Sequence, residues 1–297
     1  MPPDTGGVLF VHAHPDDECV GTGGSIARLV ADGARVDLVT CTDGAEGEVH
    51  DPDLDPEEAR PRLAAIRKAE LACSLDALGA GSIHHHLLGY RDSGMMGTDA
   101  NEHPESFWQA DLSVATQRLV EIVRGARPAS IVSYDEHGNY GHPDHINAAR
   151  IARDAYTALA GGPDAVARFY EVAFARERWE ELIAAMAERD IPFPWGGDEG
   201  EAVASGEASE GSDEGEPSAD DFGRPDAEVT TRVDVLAFIE QKRRSMECHR
   251  TQRQDMGWLL DLPPDLGEMA LGTETFVLRW QDGGDVPSTH REEWLLG

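Results

Sequence analysis

Basic residues are scarce in this chain of 297 residues. Lys and Arg number 25 against 57 Asp and Glu, leaving a formal net charge of −32 at neutral pH. Binding nucleic acid requires a basic footprint that neutralises phosphates, so no nucleic-acid partner is expected, and an anionic membrane surface is equally disfavoured. Cysteine is scarce too. Cys19, Cys41, Cys73 and Cys248 lie far apart and none belongs to a CxxC pair. That spacing reads as buried thiols without a disulfide framework, hence a reducing compartment, the cytoplasm. Also missing is any apolar run near the ~18 residues of a membrane helix, and residues 1–7 have no signal-peptide pattern. No membrane insertion is expected.

What remains is a chain with 40% hydrophobic residues, long enough to bury a sizeable core. Its acidity is uneven. Residues 197–228 carry twelve carboxylates and one base, Arg224, among Gly, Ser and Ala. Such a stretch buries too little apolar surface to offset its ordering entropy and reads as a mobile acidic loop.

Elsewhere strand and helix patterns alternate. Apolar or alternating runs over 8–12, 35–41, 83–88, 130–134, 168–174 and 274–280 read as strands. Helical periodicity marks 21–32, 56–78, 112–124, 143–159, 177–187 and 233–248. This alternation predicts an α/β, Rossmann-like fold with a mostly parallel sheet flanked by helices. Residues 1–175 form the expected catalytic core, and 176–297 complete the same domain. In such sheets ligands bind beyond the carboxyl ends of the strands.

Two of those loops are dense in metal-ligand types. Ala13-His14-Pro15-Asp16-Asp17-Glu18 follows the first strand, and Tyr140-Gly141-His142-Pro143-Asp144-His145 follows the fourth. Together they offer His14, Asp17 and His145 as three nitrogen and oxygen donors. Three protein donors plus one open position is the pattern of catalytic zinc, whereas structural zinc is closed by four, usually with Cys. The same donors accept Fe²⁺ or Co²⁺. His12, inside a strand, reads as a hydrogen-bonded core residue, and the His84-His85-His86 run as a half-exposed strand. Ser25 and Ser93 lack an evident base partner, so a covalent acyl route is not favoured. Gly21–Gly24 lacks the GxGxxG spacing of a dinucleotide site.

At these motifs the chain resembles the PIG-L/LmbE-like family of zinc-dependent N-acetylglucosamine deacetylases, which includes mycothiol-pathway enzymes. The resemblance is carried by VHAHPDDE (11–18), TCTDGAEGEV (40–49), RKAEL (67–71), YRDSGMMGT (90–98) and YDEHGNYGHPDH (134–145), with TRV (231–233) and HRTQ (249–252) further on. It implies a hydrolase that removes acetyl from an N-acetylglucosaminyl conjugate through a water activated by the ion. It implies His14, Asp17 and His145 as zinc ligands and Asp16 as general base. Tyr140 would stabilise the oxyanion, and His142, oriented by Asp144, would act as electrostatic stabiliser or proton donor. Glu48, Arg67 and Asp92 would bind substrate. The implied partner is a small-molecule amino-sugar conjugate; no oligomeric state is legible. The alternative is a mycothiol S-conjugate amidase using the same centre on a larger acyl group, although the basic residue expected after the first motif of such amidases is replaced by the glycines of 21–24. Cys19 and Cys41 would be packed thiols near the site.

Overall fold

In a computed structural model, which describes residues 6–194, 223–287 and 289–296, the apolar runs become the inner strands of one sheet. In chain order the elements are β1 (Val8–His12), α1 (Asp17–Val20), α2 (Gly23–Ala31), β2 (Val36–Thr42), α3 (Pro56–Ala59), α4 (Leu63–Gly79), β3 (Ile83–Tyr90), α5 (Leu112–Ala126), β4 (Ser130–Ser133) and α6 (Pro143–Leu159). There follow β5 (Arg168–Ala173), α7 (Arg176–Ala187), β6 (Thr231–Asp234), α8 (Ile239–Cys248), α9 (Arg253–Asp261), α10 (Pro264–Leu271), β7 (Thr273–Gln281) and β8 (Gly284–Asp285).

The eight-stranded sheet runs β3-β2-β1-β4-β5-β7-β6, with β8 beside β7. The first five strands are mutually parallel, while β7 is antiparallel to β5 and β6 antiparallel to β7. β1 and β2 are buried along their whole length. That fits strands covered by helices on both faces, which read as continuous apolar runs. Alternation divides the core: Leu9 and Val11 pack on one face with Ile131, Leu119 and Ala152, whereas Val8 and Phe10 pack on the other with Ile26, Leu71 and Phe276. A third cluster joins Cys19 to Leu182, Met246, Met256 and Leu266. β1 lies between β2 and β4, so connections leave it in opposite directions, the kind of switch point beyond whose strand ends ligands bind in such sheets.

Several expectations need correction. The helix read over 56–78 is interrupted by a 3-10 turn at Arg60–Arg62, because Pro61 lacks the amide proton that a continuous helix needs there. The helix read from residue 233 begins only at Ile239. Thr231 and Val233 are instead buried alternate residues of β6, paired to Phe276 and Glu274 of β7. Cys73 and Cys248 are not separate thiols. They form a disulfide with Cα atoms 5.7 Å apart across 175 residues of sequence, because α4 and α8 pack side by side. Sequence spacing cannot show such a pairing, and the inference of a reducing compartment loses its footing. Cys19 and Cys41 are free and buried, as expected.

Most of the acidic loop, residues 197–222, lies outside the described residues. Its last residues do not behave as a free loop: the Arg224 N–H donates to Phe174 O at 2.7 Å and its guanidinium reaches Asp135 Oδ2 at 3.0 Å. Among the described residues no helix is long and apolar enough to cross a membrane.

Candidate metal centre

The loop after β1 and the start of α6 build the site. His142 caps α6, its Nδ1 accepting the Asp144 N–H at 3.1 Å, and Pro143 occupies the first helical position, where a missing amide proton costs nothing. The first turn of α6 thereby holds Asp144 and His145 inward, at 0% and 2% exposure. On the opposite side the His14 N–H donates to Asp17 Oδ2 at 2.7 Å, folding the first motif back on itself.

The Asp17 carboxylate lies between two imidazoles, 3.5 Å from His14 Nδ1 and 3.3 Å from His145 Nε2. On the far edge of His14, Nε2 meets Asp144 Oδ2 at 3.1 Å. A carboxylate accepts only, so that contact places a proton on Nε2, and Nδ1 is the nitrogen turned toward Asp17. Asp144 is held in turn by the Ser93 N–H at 2.9 Å and by the Ser93 hydroxyl. Around His14 two groups of side chains, each with donor atoms within 4.8 Å of one another, could hold a metal ion: His14, Asp92, His142 and Asp144, and His14, Asp17 and His145.

The electrostatics fit a cation. Burial by itself would raise Asp17, yet His145 and His14 hold its carboxyl well below the usual range. Burial opposes ionisation of Asp92 as well, and His14 pulls it down likewise. His14 is disfavoured as a cation by burial but is raised well above its ordinary value by Asp92, Asp144 and Asp17. Several carboxylates thus converge on one imidazole, an excess of negative charge that a divalent ion would balance.

Asp16 stands apart. Its Oδ2 accepts from Arg67 Nη2 at 2.8 Å, and burial pushes its carboxyl up to about 7 against the pull of Arg67. Arg67, only 3% exposed, also donates to Pro15 O at 2.7 Å and to Gly44 O at 3.0 Å. The glycines of the second block make this approach possible: a Cβ on Gly44, where φ is +67°, would fall 2.6 Å from Arg67 Nη1. The Tyr140 hydroxyl is 3.3 Å from His145 Nε2, its side chain exposed to solvent. His142, forced down to about 2 chiefly by burial and then by His14 and His145, is neutral.

The sequence-predicted residues are therefore brought together with differing surroundings. His14, Asp16, Asp17, Tyr140, His142, Asp144 and His145 share one centre. Asp92 joins them, 3.6 Å from His14 Nε2 and anchored by the amides of Glu46 and Gly94. Glu48 lies outside, its carboxylate exposed and paired to His50 at 2.7 Å. Orientation of His142 comes from the backbone of Asp144 rather than its carboxylate, which serves His14. Ser93 does meet a carboxylate, but it donates to Asp144 from complete burial. His12 is the expected core residue, bonded to Tyr134 and Thr22 at 3.0 Å each.

Residues 9–156 match the family described as PIG-L, GlcNAc-PI de-N-acetylase. A 1D-myo-inositol 2-acetamido-2-deoxy-alpha-D-glucopyranoside deacetylase from Acidothermus cellulolyticus is 39% identical over 277 residues, covering 91% of this chain and 88% of that protein. The chain belongs to the PIG-L family. Two solved structures share its fold. N,N'-diacetylchitobiose deacetylase from Pyrococcus horikoshii superposes with a TM-score of 0.52 at 20% identity, covering 91% of this chain and 82% of that one. The 4-carboxy-2-hydroxymuconate hydratase GalB from Pseudomonas putida gives 0.59 at 17% identity, with 95% and 97% covered. At these identities the superpositions show a shared fold and say nothing of the reaction.

Sequence reasoning missed part of this PIG-L site. Tyr134 stacks on His145 with centroids 4.2 Å apart and donates no role that its motif position reveals. Ser93 reads from the sequence only as a nucleophile candidate, whereas in the fold it anchors Asp144. Glu18, although in the first motif, turns away from the donor cluster toward Ser74 and His249. Only the HRTQ block hinted that the C-terminal part reaches the site.

Proposed function

We propose that this chain is a divalent-metal-dependent N-deacetylase that removes acetyl from an N-acetylglucosaminyl conjugate, with GlcNAc-inositol as the first substrate to test. The observation that carries the reading is the Asp17 carboxylate set between His14 Nδ1 and His145 Nε2 with Asp16 beside it on Arg67. In this reading His14, Asp17 and His145 would hold the ion through two imidazole nitrogens and a carboxylate. Nitrogen and carboxylate donors favour Zn²⁺ and also accept Fe²⁺ or Co²⁺. Bound there, the ion would supply Lewis acidity toward water and the amide carbonyl.

The chain's own groups do the rest. Asp16 takes the proton of the attacking water and returns it to the leaving amine, so water oxygen ends on acetate and the amide C–N bond breaks without an acyl-enzyme. The Tyr140 hydroxyl donates to the oxyanion that develops on the carbonyl. Neutral His142, with Nδ1 occupied as the helix cap, offers its Nε2–H to the same region. Asp144 fixes the tautomer of His14, as carboxylates behind metal-binding imidazoles do. Asp92 meets sugar or inositol hydroxyls near the centre, Glu48, which lies outside it, would meet only a more distant part of the substrate, and Arg67 borders that space while aiming Asp16. Residues 176–297 belong to the same functional unit in this reading, since β6 and β7 extend the sheet.

The test compares acetate release from GlcNAc-inositol with amine release from a mycothiol S-conjugate, using protein reconstituted with Zn²⁺, Fe²⁺ or Co²⁺. Acetate release should dominate. Faster turnover of the S-conjugate would move the assignment to the amidase.

A further inference from the structure

Asp16 is a non-glycine residue with φ of +133° and ψ of −26°. Such a backbone persists only where its surroundings over-determine it. Here both peptide groups of the residue are held. Its carbonyl accepts the Cys19 N–H at 3.1 Å and the Cys19 thiol at 2.8 Å, and its own N–H donates to Glu18 Oε2 at 3.0 Å.

Glu18 is 1% exposed, and its second oxygen is held from behind. Oε1 accepts from the Ser74 hydroxyl on α4 and lies 2.7 Å from Nε2 of His249, a residue with no exposed surface just after α8. Ser74 Oγ is 2.7 Å from Ser245 Oγ, closing a chain across the two helices. The Cys73–Cys248 disulfide lies one residue from Ser74 and one from His249, so a covalent link flanks both supports. Glu18, Cys19 and His249 also offer donor atoms within 4.8 Å of one another. The contacts argue against a second ion: Glu18 and His249 already share a hydrogen bond, and the Cys19 thiol is engaged on Asp16 O.

We propose that Glu18, buttressed by Ser74 and His249, is a positioning residue that locks the Asp16 backbone and thereby aims its carboxylate. The proposal rests on the reading of Asp16 as the general base. It assigns the C-terminal part of the chain a share in catalysis although His249 lies 231 residues from Glu18.

The experiment is a double-mutant cycle on the metal-loaded protein with GlcNAc-inositol, combined with amide exchange on the metal-free protein. Glu18→Ala should lower kcat about 100-fold, the scale of a misplacement near 1 Å. KM should stay within about threefold, since ground-state binding is untouched. Metal content should not change. Glu18→Gln, whose amide oxygen can still accept the Asp16 N–H, should recover part of the loss. Ser74→Ala and His249→Ala give milder versions should Glu18→Ala fail to fold. In an Asp16→Asn background His249→Ala should cost no further kcat, because the group it serves is gone. Protection of the Asp16 amide against exchange should fall in Glu18→Ala and His249→Ala. Unchanged kcat in folded Glu18→Ala overturns the proposal, as does full additivity in the cycle or a second ion per chain that disappears with His249. Retained turnover in Asp16→Asn alone defeats the base reading instead, and amide exchange then decides the positioning claim by itself.

Discussion

At the scale of single residues the site is a set of acceptors arranged so that few protons stand between them. The Nε2–H of His14 is committed to Asp144, and Ser93 commits Asp144. Asp144→Ala should therefore weaken metal affinity about 10- to 100-fold while leaving the fold intact. Competition with a chelator of known affinity measures this, and unaltered affinity would mean that Asp144 does not set the His14 tautomer. His12 carries a different consequence. Burial lowers it to about 4 from its ordinary 6.5. The folded protein therefore refuses a proton that the unfolded chain accepts, and stability present above pH 6.5 is lost as pH falls toward 4, by about 3 kcal/mol at full extent. Urea midpoints at pH 7.5 and pH 5 should diverge more in the parent than in His12→Gln; parallel losses would refute that role.

These residues were unevenly legible. His14, Asp17 and His145 stand in two short motifs at strand ends, and residue type and spacing were enough to propose the grouping that the fold brings together. Asp92 and Arg67 rested on resemblance, because an Asp in a turn and an Arg in a helix carry no signal of their own. Glu18 hid in plain view: its motif neighbours bind inward, but its partners Ser74 and His249 come from distant helices.

At the scale of elements the parallel half of the sheet was readable, since strands covered on both faces are apolar runs that few other structures explain. The C-terminal part was not. β6 is four residues long and owes its burial to β7, far along the chain, where Thr231 pairs with Phe276, so local periodicity carried into a helix there. The α4–α8 contact was equally invisible, and with it the disulfide. Joining residues 175 apart constrains the unfolded chain strongly, by about 2–5 kcal/mol. A thermal melt should shift down in dithiothreitol, and the Cys73→Ser/Cys248→Ser variant should melt at the reduced value with or without reductant. Identical melts of parent protein in both conditions would show that the bond contributes nothing.

At the scale of the whole molecule, the surplus of 32 negative charges divides into unlike parts. Residues 197–228 hold about a third of it, although 223–228 are tied to the sheet through Arg224. A handful of other carboxylates converge at the ends of β1 and β4, where in the proposed reading charge serves chemistry rather than solvation. That convergence is the central claim, and it is tested most directly by titrating Zn²⁺ into metal-free protein while following acetate release from GlcNAc-inositol. Activity should rise with added ion and level off at about one per chain, as a three-donor site requires. Full acetate release from protein that holds no metal would contradict it.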